Sequence, residues 1–427
     1  MSRFSLRQLW FQVHLWLGVA LFIPVIVVCV TGSYEVWQDE IERFTHPARY
    51  ETSEGPALAP SAYVSAAQAA FGDRARVSAV RLPERAGDPV TVSGMVVSRD
   101  GAAGPRRASM TAWIDPSTAR VLDAQDTSGS FRMVMHRLHG SLMVPGVGRK
   151  LVGWLGWALL ASALTGIWLW WPRNGKVLRG FRFRRTPDLL LNLHYLTGFW
   201  ISIPLAVLAL TGALISFPQT TRAIVGAVAP LGDQPARRGP PGFGGAPMAE
   251  TGLSADQAAA AALAVAPDAS LRTLNLPTRA RNETRNEARN EGGRGEGARG
   301  EGPRREGEGR AQRQGGERGP SWRAQLQTPS GQAITVSVAD ATGQARVEPA
   351  RAVSGGETVI RWNRRLHDGA GTWLIWKVVI TIAGIIPLLL GVTGVIVWLQ
   401  RQFRKAAMRR RLADDGPPAS PVPVSGE

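Results

Sequence analysis

Histidine is the residue type in this chain best placed to do chemistry, because its positions are ordered. Of the six histidines, His14 and His194 stand 180 positions apart, and His139 and His367 stand 228 apart. Each pair brings companions at its own offset. Gly18, Pro24, Thr31 and Gly32 return as Gly198, Pro204, Thr211 and Gly212. Arg137-Leu138-His139 with Thr165-Gly166 returns as Arg365-Leu366-His367 with Thr393-Gly394. Self-similarity at fixed offsets marks an internal repeat. Ionisable groups in or beside apolar segments mark function. Two imidazoles facing each other from different helices suit a bis-histidine b-type haem, and helix bundles build such sites in their cores.

The elements that must position these histidines are four apolar blocks: 9–37, 136–171, 189–217 and 361–399. Blocks two and four each start with a juxtamembrane stretch that carries the histidine. Every block reaches the roughly 20 residues that cross a ~30 Å hydrocarbon layer. The loop 172–188 and the tail 400–427 are rich in arginine and lysine. The positive-inside rule therefore puts both, and both termini, in the cytoplasm. Segments 38–135 and 218–360 then face the other side, a periplasm if the source is Gram-negative, and each reads as a small α+β module. The first has a helix over 61–71, strands near 77–82 and 90–97, and a strand running into the turn Asp115-Pro116-Ser117-Thr118. The second has a helix over 254–266 with Ser254 as its cap, strands over 271–276, 321–327 and 333–338, and the turn Asp340-Ala341-Thr342-Gly343. Between its strands, 279–320 is built of Arg-Asn-Glu and Arg-Gly-Glu repeats. That stretch has too little apolar surface to offset its ordering entropy and reads as a disordered insertion. The fold class expected is a mainly α membrane protein, with four transmembrane helices from an internal duplication and two periplasmic α+β modules.

This topology sorts the histidines into two layers. His14 and His194 lie about one turn into spans that start on the cytoplasmic side. His139 and His367 lie at the opposite surface. A pseudo-two-fold axis along the membrane normal brings His14 opposite His194 and His139 opposite His367. Gly18 and Gly198, one turn beyond their histidines, would let a flat macrocycle approach the backbone; close helix packing is the other use of such glycines. His136, on the same face as His139, is an alternative ligand or a contact for a propionate. Its counterpart is Arg364, which breaks the repeat and favours His139. His46 has no partner at either offset and reads as a loop residue.

Composition narrows the function. The net charge of +17 sits mostly in the insertion and in the flanks of the spans, so nucleic acid is not expected as a partner; the lipid bilayer is. With Cys29 as the single cysteine, no intrachain disulfide or cysteine-rich metal framework is possible. No hydrolase or nucleotide-binding constellation is present, and no acid–base catalytic residue is assigned.

Span, module and span, twice over, with His-x3-Gly and Thr-Gly in the spans, resembles the PepSY-associated transmembrane helix family. The likeness is clearest in Met135-His136-Arg137-Leu138-His139-Gly140 and in Leu164-Thr165-Gly166-Ile167-Trp168-Leu169-Trp170-Trp171-Pro172. It covers nearly the whole chain apart from the insertion and the tails. Some members are iron-regulated inner-membrane reductases that release iron from ferric siderophores in the periplasm, using two b haems. The resemblance implies such a reductase here, with His14, His139, His194 and His367 as haem ligands and a ferric siderophore, or another periplasmic acceptor, as partner. Some relatives carry a flavin reductase module after the last span. This chain runs only a short way past Leu399, so a separate cytoplasmic protein or a quinol is expected to donate the electrons. Two rivals stand beside this reading. One is a membrane-anchored PepSY binding or regulatory module without redox activity. The other is a metal-transport component, which the scarcity of hydrophilic residues in the spans disfavours.

Overall fold

The computed structural model describes residues 5–96, 109–172, 186–232, 247–248, 250–278, 319–349 and 354–414. In chain order its helices are α1 (Leu6–Ala20), α2 (Phe22–Val36), α3 (Gln38–Thr45), α4 (Pro60–Phe71), α5 (Phe131–Ser141), α6 (Gly148–Trp170), α7 (Leu189–Ser216), α8 (Pro218–Val228), α9 (Ala255–Ala264), α10 (Gly355–Asp368) and α11 (Leu374–Asp414). Its strands are β1 (Ala75–Arg81), β2 (Val90–Val96), β3 (Ser109–Ile114), β4 (Val121–Asp126), β5 (Ser270–Asn275), β6 (Ser321–Gln327), β7 (Ala333–Ala339) and β8 (Ala345–Val347). The chain divides into a helical unit, Met1–Gln38 with Val134–Leu231 and Ser354–Glu427, and a sheet unit, Asp39–Met133 with Gly232–Val353.

In the helical unit, polar caps set where the apolar helices begin. Ser5 and Gln8 form a capping box at the start of α1, and the Asp188 carboxylate accepts from the amides of Leu190 and Leu191 at the start of α7. Three helices, α6, α7 and α11, are long and apolar enough to cross a membrane. The block expected as one span over 9–37 is instead a bent pair, with α1 and α2 meeting at 66°. Pro24 has no amide to offer the carbonyl of Ala20, so the helix loses a bond where it breaks. The two pieces also follow different neighbours, α1 packing chiefly on α6 and α2 on α11. The matching Pro204 is held inside an unbroken α7, which packs against both α6 and α11. The last helix runs on past Leu399 to Asp414, because the Arg-, Lys- and Ala-rich sequence after the apolar stretch consists of good helix formers. Residues 173–185 of the basic loop, 279–318 of the insertion and 415–427 of the tail lie outside the described residues.

The sheet unit is one antiparallel sheet of eight strands in the order β4-β3-β2-β1-β5-β6-β7-β8. The two segments expected as modules each give four strands, and the halves join where β1 pairs with β5. At that seam Val80 faces Leu274, and both are buried. The outermost strands, β4 and β8, carry no buried apolar row, which is why alternation did not mark them. Helices α4 and α9 cover the sheet and touch each other. The Asp256 carboxylate accepts from the Ser61 amide at 2.7 Å, and the Ser61 hydroxyl accepts from the Asp256 amide at 3.2 Å. Under α4 the core is Tyr63 and Phe71 against Val80, Val90, Val92 and Ile114. Under α9 the fully buried residues of the helix are alanines, such as Ala258 and Ala262, with Leu263 packed partly against them, and the bulk comes from the strands as Trp322, Leu326 and Val338. Each large side chain so buried contributes about 1.5–3 kcal/mol.

Two buried aspartates tie the turns. Asp340 accepts from the amides of Gly252 and Leu253 and from the indole of Trp322, at 2.7–3.2 Å. Asp115 accepts from the amides of Ser53 and Ser117 and the hydroxyl of Thr118. Burial alone would raise the Asp115 carboxyl, but these hydrogen bonds outweigh it and hold the group at about 2. Its folded value lies below its ordinary one, so its stabilisation is complete above about pH 4 and is lost as pH falls towards 2. Asp115→Ala strands the Ser53 amide and is expected to cost about 2 kcal/mol near neutral pH. The substitution should also flatten the acid limb of a melting-temperature profile. A variant that melts like the parent at every pH would contradict this account.

Candidate functional site

The helical unit brings together His14 with His194, and His139 with His367. The rings of His14 on α1 and His194 on α7 have centres 6.4 Å apart and planes at 84°. Those of His139 on α5 and His367 on α10 have centres 5.9 Å apart and planes at 38°. α7 passes both pairs, since it carries His194 and also Thr211, which touches His367. At 1.5 Å per residue, the stretch from His194 to Thr211 spans about 25 Å.

Each histidine docks on a Thr-Gly dipeptide of another helix. The Nδ1 of His14 lies 3.1 Å from the carbonyl of Ser162 and 3.2 Å from the hydroxyl of Thr165 on α6. His139 meets the carbonyl of Val28 at 2.9 Å and Thr31 at 3.5 Å on α2. His367 meets the carbonyl of Leu208 and the hydroxyl of Thr211, both at 3.1 Å, on α7. His194 meets the hydroxyl of Thr393 of α11 at 3.3 Å. In the three cases with a carbonyl, it belongs to the residue three before the threonine. A carbonyl can only accept, so Nδ1 carries the proton and Nε2 keeps its lone pair. The threonine hydroxyls donate into their own helices, Thr31 to Val27, Thr165 to Ala161, Thr211 to Val207 and Thr393 to Leu389, which frees them to accept from the imidazoles.

This tautomer is the one that binds a metal, because a ligating imidazole donates its other N–H to a fixed acceptor. Spacing fits as well. A metal bound to two imidazoles sits about 2 Å from each nitrogen, which puts the two ring centres about 6 Å apart. Among the described residues no group of three or more His, Cys, Asp or Glu could hold a bare metal ion. Each pair supplies two ligands only, so the remaining positions of an octahedral iron would have to come from a macrocycle, as haem provides. A side chain at Gly18 would meet nothing within 4 Å, and one at Gly198 only the tip of Leu390 at 3.9 Å.

The other candidates fall outside the pairs. His136 bonds Glu35 at 3.2 Å and is largely exposed. His46 sits after α3, beside the Thr45 hydroxyl. Glu35 was not singled out by the sequence reading, yet an acid one turn beyond Thr31 in an apolar helix was a visible signal. Its second carboxylate oxygen is buried and finds no hydrogen-bond partner among the described residues. The threonines stood out only as repeat landmarks; their contact with the histidines depends on which helices become neighbours.

Fold and site together define a membrane protein whose helical unit brings four histidines together in two pairs, with a second, α+β sheet unit. The chain belongs to the PepSY-associated TM region family, whose pattern matches residues 11–401. No curated protein matched the chain.

His139 and His367 lie outside the long apolar helices. Burial lowers the pKa of His139, and burial followed by the nearby His139 lowers that of His367 to about 4. A depressed histidine favours the unfolded state once that state takes up protons. The packing of α10 is therefore complete above pH 6.5 and weakens as pH falls from there towards 4. In protein free of bound metal or haem, amide exchange in α10, corrected for its intrinsic pH dependence, should rise across that window, and His367→Asn should abolish the rise. Flat protection in that unliganded protein would refute it.

Proposed function

We propose that this chain is a di-haem b oxidoreductase that carries electrons across the bacterial inner membrane. In this reading the bent pair α1–α2 counts as one span. The chain is then a duplicated four-span protein with both termini in the cytoplasm and the sheet unit in the periplasm. His14 and His194 would hold one haem near the cytoplasmic side, and His139 and His367 the other near the periplasmic side. When bound, haem supplies reversible one-electron exchange between ferric and ferrous iron. The observation that carries the reading is the Nδ1 proton committed to a helix acceptor on all four imidazoles, in pairs whose ring centres lie 6.4 and 5.9 Å apart, a separation suited to one shared metal.

What the protein contributes is position. Neutral imidazoles hold iron without adding charge to a low-dielectric interior, where unpaired charge is costly. α7 keeps the two sites at a fixed separation through one unbroken helix. Outer-sphere reduction needs no acid–base residue, and none is assigned. The acceptor favoured by the family resemblance is ferric iron held by a siderophore, which takes one electron to become ferrous. A cytoplasmic reductant or a membrane quinol would supply that electron.

The test is spectroscopic. Protein purified in detergent from haem-replete cells should show low-spin b-type bands that sharpen on reduction with dithionite. His14→Ala and His194→Ala should remove the same component, and His139→Ala and His367→Ala the other. A folded but colourless protein would sink the proposal and leave the sheet unit, as a binding or regulatory module, the functional part.

A further inference from the structure

The four Thr-Gly dipeptides recur with the histidines, and each touches a histidine that is remote in sequence. The threonine and, for His14, His139 and His367, the carbonyl three residues earlier take the Nδ1 proton. The glycine lies against the edge of the same ring. A side chain at Gly212 would come within 2.6 Å of Cε1 of His367, and one at Gly32 within 2.8 Å of Cε1 of His139. In the other layer the clearance is greater, 3.3 Å from Gly166 to Cε1 of His14 and 3.6 Å from Gly394 to Cε1 of His194. Real Cβ contacts under 3.0 Å essentially never occur, whereas 3.6 Å is ordinary contact. At 3.3 Å the Gly166 contact is still tight, so one layer grips both of its imidazoles, and the other holds His14 less closely and leaves His194 slack.

We propose that the Thr-Gly pairs are ligand-orienting sockets, and that the difference in grip makes the two metal centres unlike. Thr31, Thr165, Thr211 and Thr393 are positioning residues in this scheme: they touch no haem and act through the imidazole. A hydrogen bond from Nδ1–H to a fixed acceptor raises the basicity of the ligating nitrogen and stabilises the oxidised metal. The glycine sets how deep the ring can seat, and so the angle between the two ring planes. In the gripped layer the planes stand at 38°, and in the slack layer at 84°. The inference rests on the di-haem reading for its metal. The socket itself is a statement about the histidines alone.

The first readout is ferric EPR with haem content. Two different low-spin signals are expected from the parent protein, a strongly anisotropic one from near-perpendicular imidazoles and a rhombic one from the tilted pair. Gly212→Ala should lose the rhombic signal and about half of the bound haem, because its Cβ displaces His367. Gly394→Ala should keep both. Thr211→Val keeps the shape and removes the hydroxyl acceptor; it should move the midpoint potential of that centre upward, and Thr211→Ser should restore it. Equal behaviour of Gly212→Ala and Gly394→Ala, or a Thr211→Val protein with unchanged potential and EPR, would overturn the proposal.

The second readout needs no haem. Protein labelled with ¹⁵N-histidine reports the ring tautomer directly. The Nδ1-protonated form is expected for all four socketed histidines, with loss of that preference at His367 in Thr211→Val. A colourless parent protein that shows this tautomer pattern would refute the haem and keep the socket. A parent with Nε2 protonated at these positions would refute the socket whether or not haem is bound.

Discussion

An imidazole that must offer a bare nitrogen has one proton to place elsewhere, and much of the helical unit is arranged around that placement. Three helix carbonyls take three of the protons, each three residues before a threonine, and the Thr393 hydroxyl takes the fourth. A helix carbonyl ordinarily belongs to the amide four residues on; the threonine hydroxyl bonds back to the same turn and shares the load. That is why the motif is Thr followed by Gly rather than any polar residue. One member supplies a second acceptor, and the next clears space so that the ring can reach it. The helix pairings follow: α1 on α6, α5 on α2, α7 on α11 and α10 on α7.

The sheet unit solves a different problem with related means. Each half alone would leave an open edge at β1 or β5, and unpaired strand edges invite foreign pairing. Here the halves close each other's edge, with Val80 against Leu274 at the seam and Ser61 and Asp256 trading hydrogen bonds between the covering helices. The cores on either side are unequal in composition but alike in plan. Phe71 of α4 lies over Gly94, whereas the alanine face of α9 is met by Trp322 and Leu326. Volume is traded between helix and strand, and the layer thickness survives the exchange.

Much of this was legible before any coordinates. The offsets of 180 and 228 named the four histidines, and the apolar blocks located the long helices. The cap at Ser254 and the turns after Asp115 and Asp340 were also readable, because short polar side chains beside a periodic run have few other uses. What could not be read depends on contacts remote in sequence. The break at Leu21 follows from α1 and α2 choosing different partners, since Pro204 in the same local setting leaves α7 whole. The union of two modules into one sheet depends on β1 meeting β5. The partnership of Thr211 with His367 joins residues 156 positions apart, and no local pattern encodes it.

Because α7 carries His194 and, 17 residues on, the Thr211 that seats His367, it acts as a ruler between two sites. Adding or removing one residue between them would turn one end about 100° against the other and shift it about 1.5 Å. No loop lies within the helix to absorb such a change. Pro204 falls inside this stretch. Length variation in α7 is therefore barred between positions 194 and 211, while the chain on either side is free to grow. The first half keeps the same count from His14 to Thr31 across a broken helix. There the hinge at Leu21 offers a slack point that α7 lacks, so the two stretches, though equal in residue count, would tolerate insertions unequally.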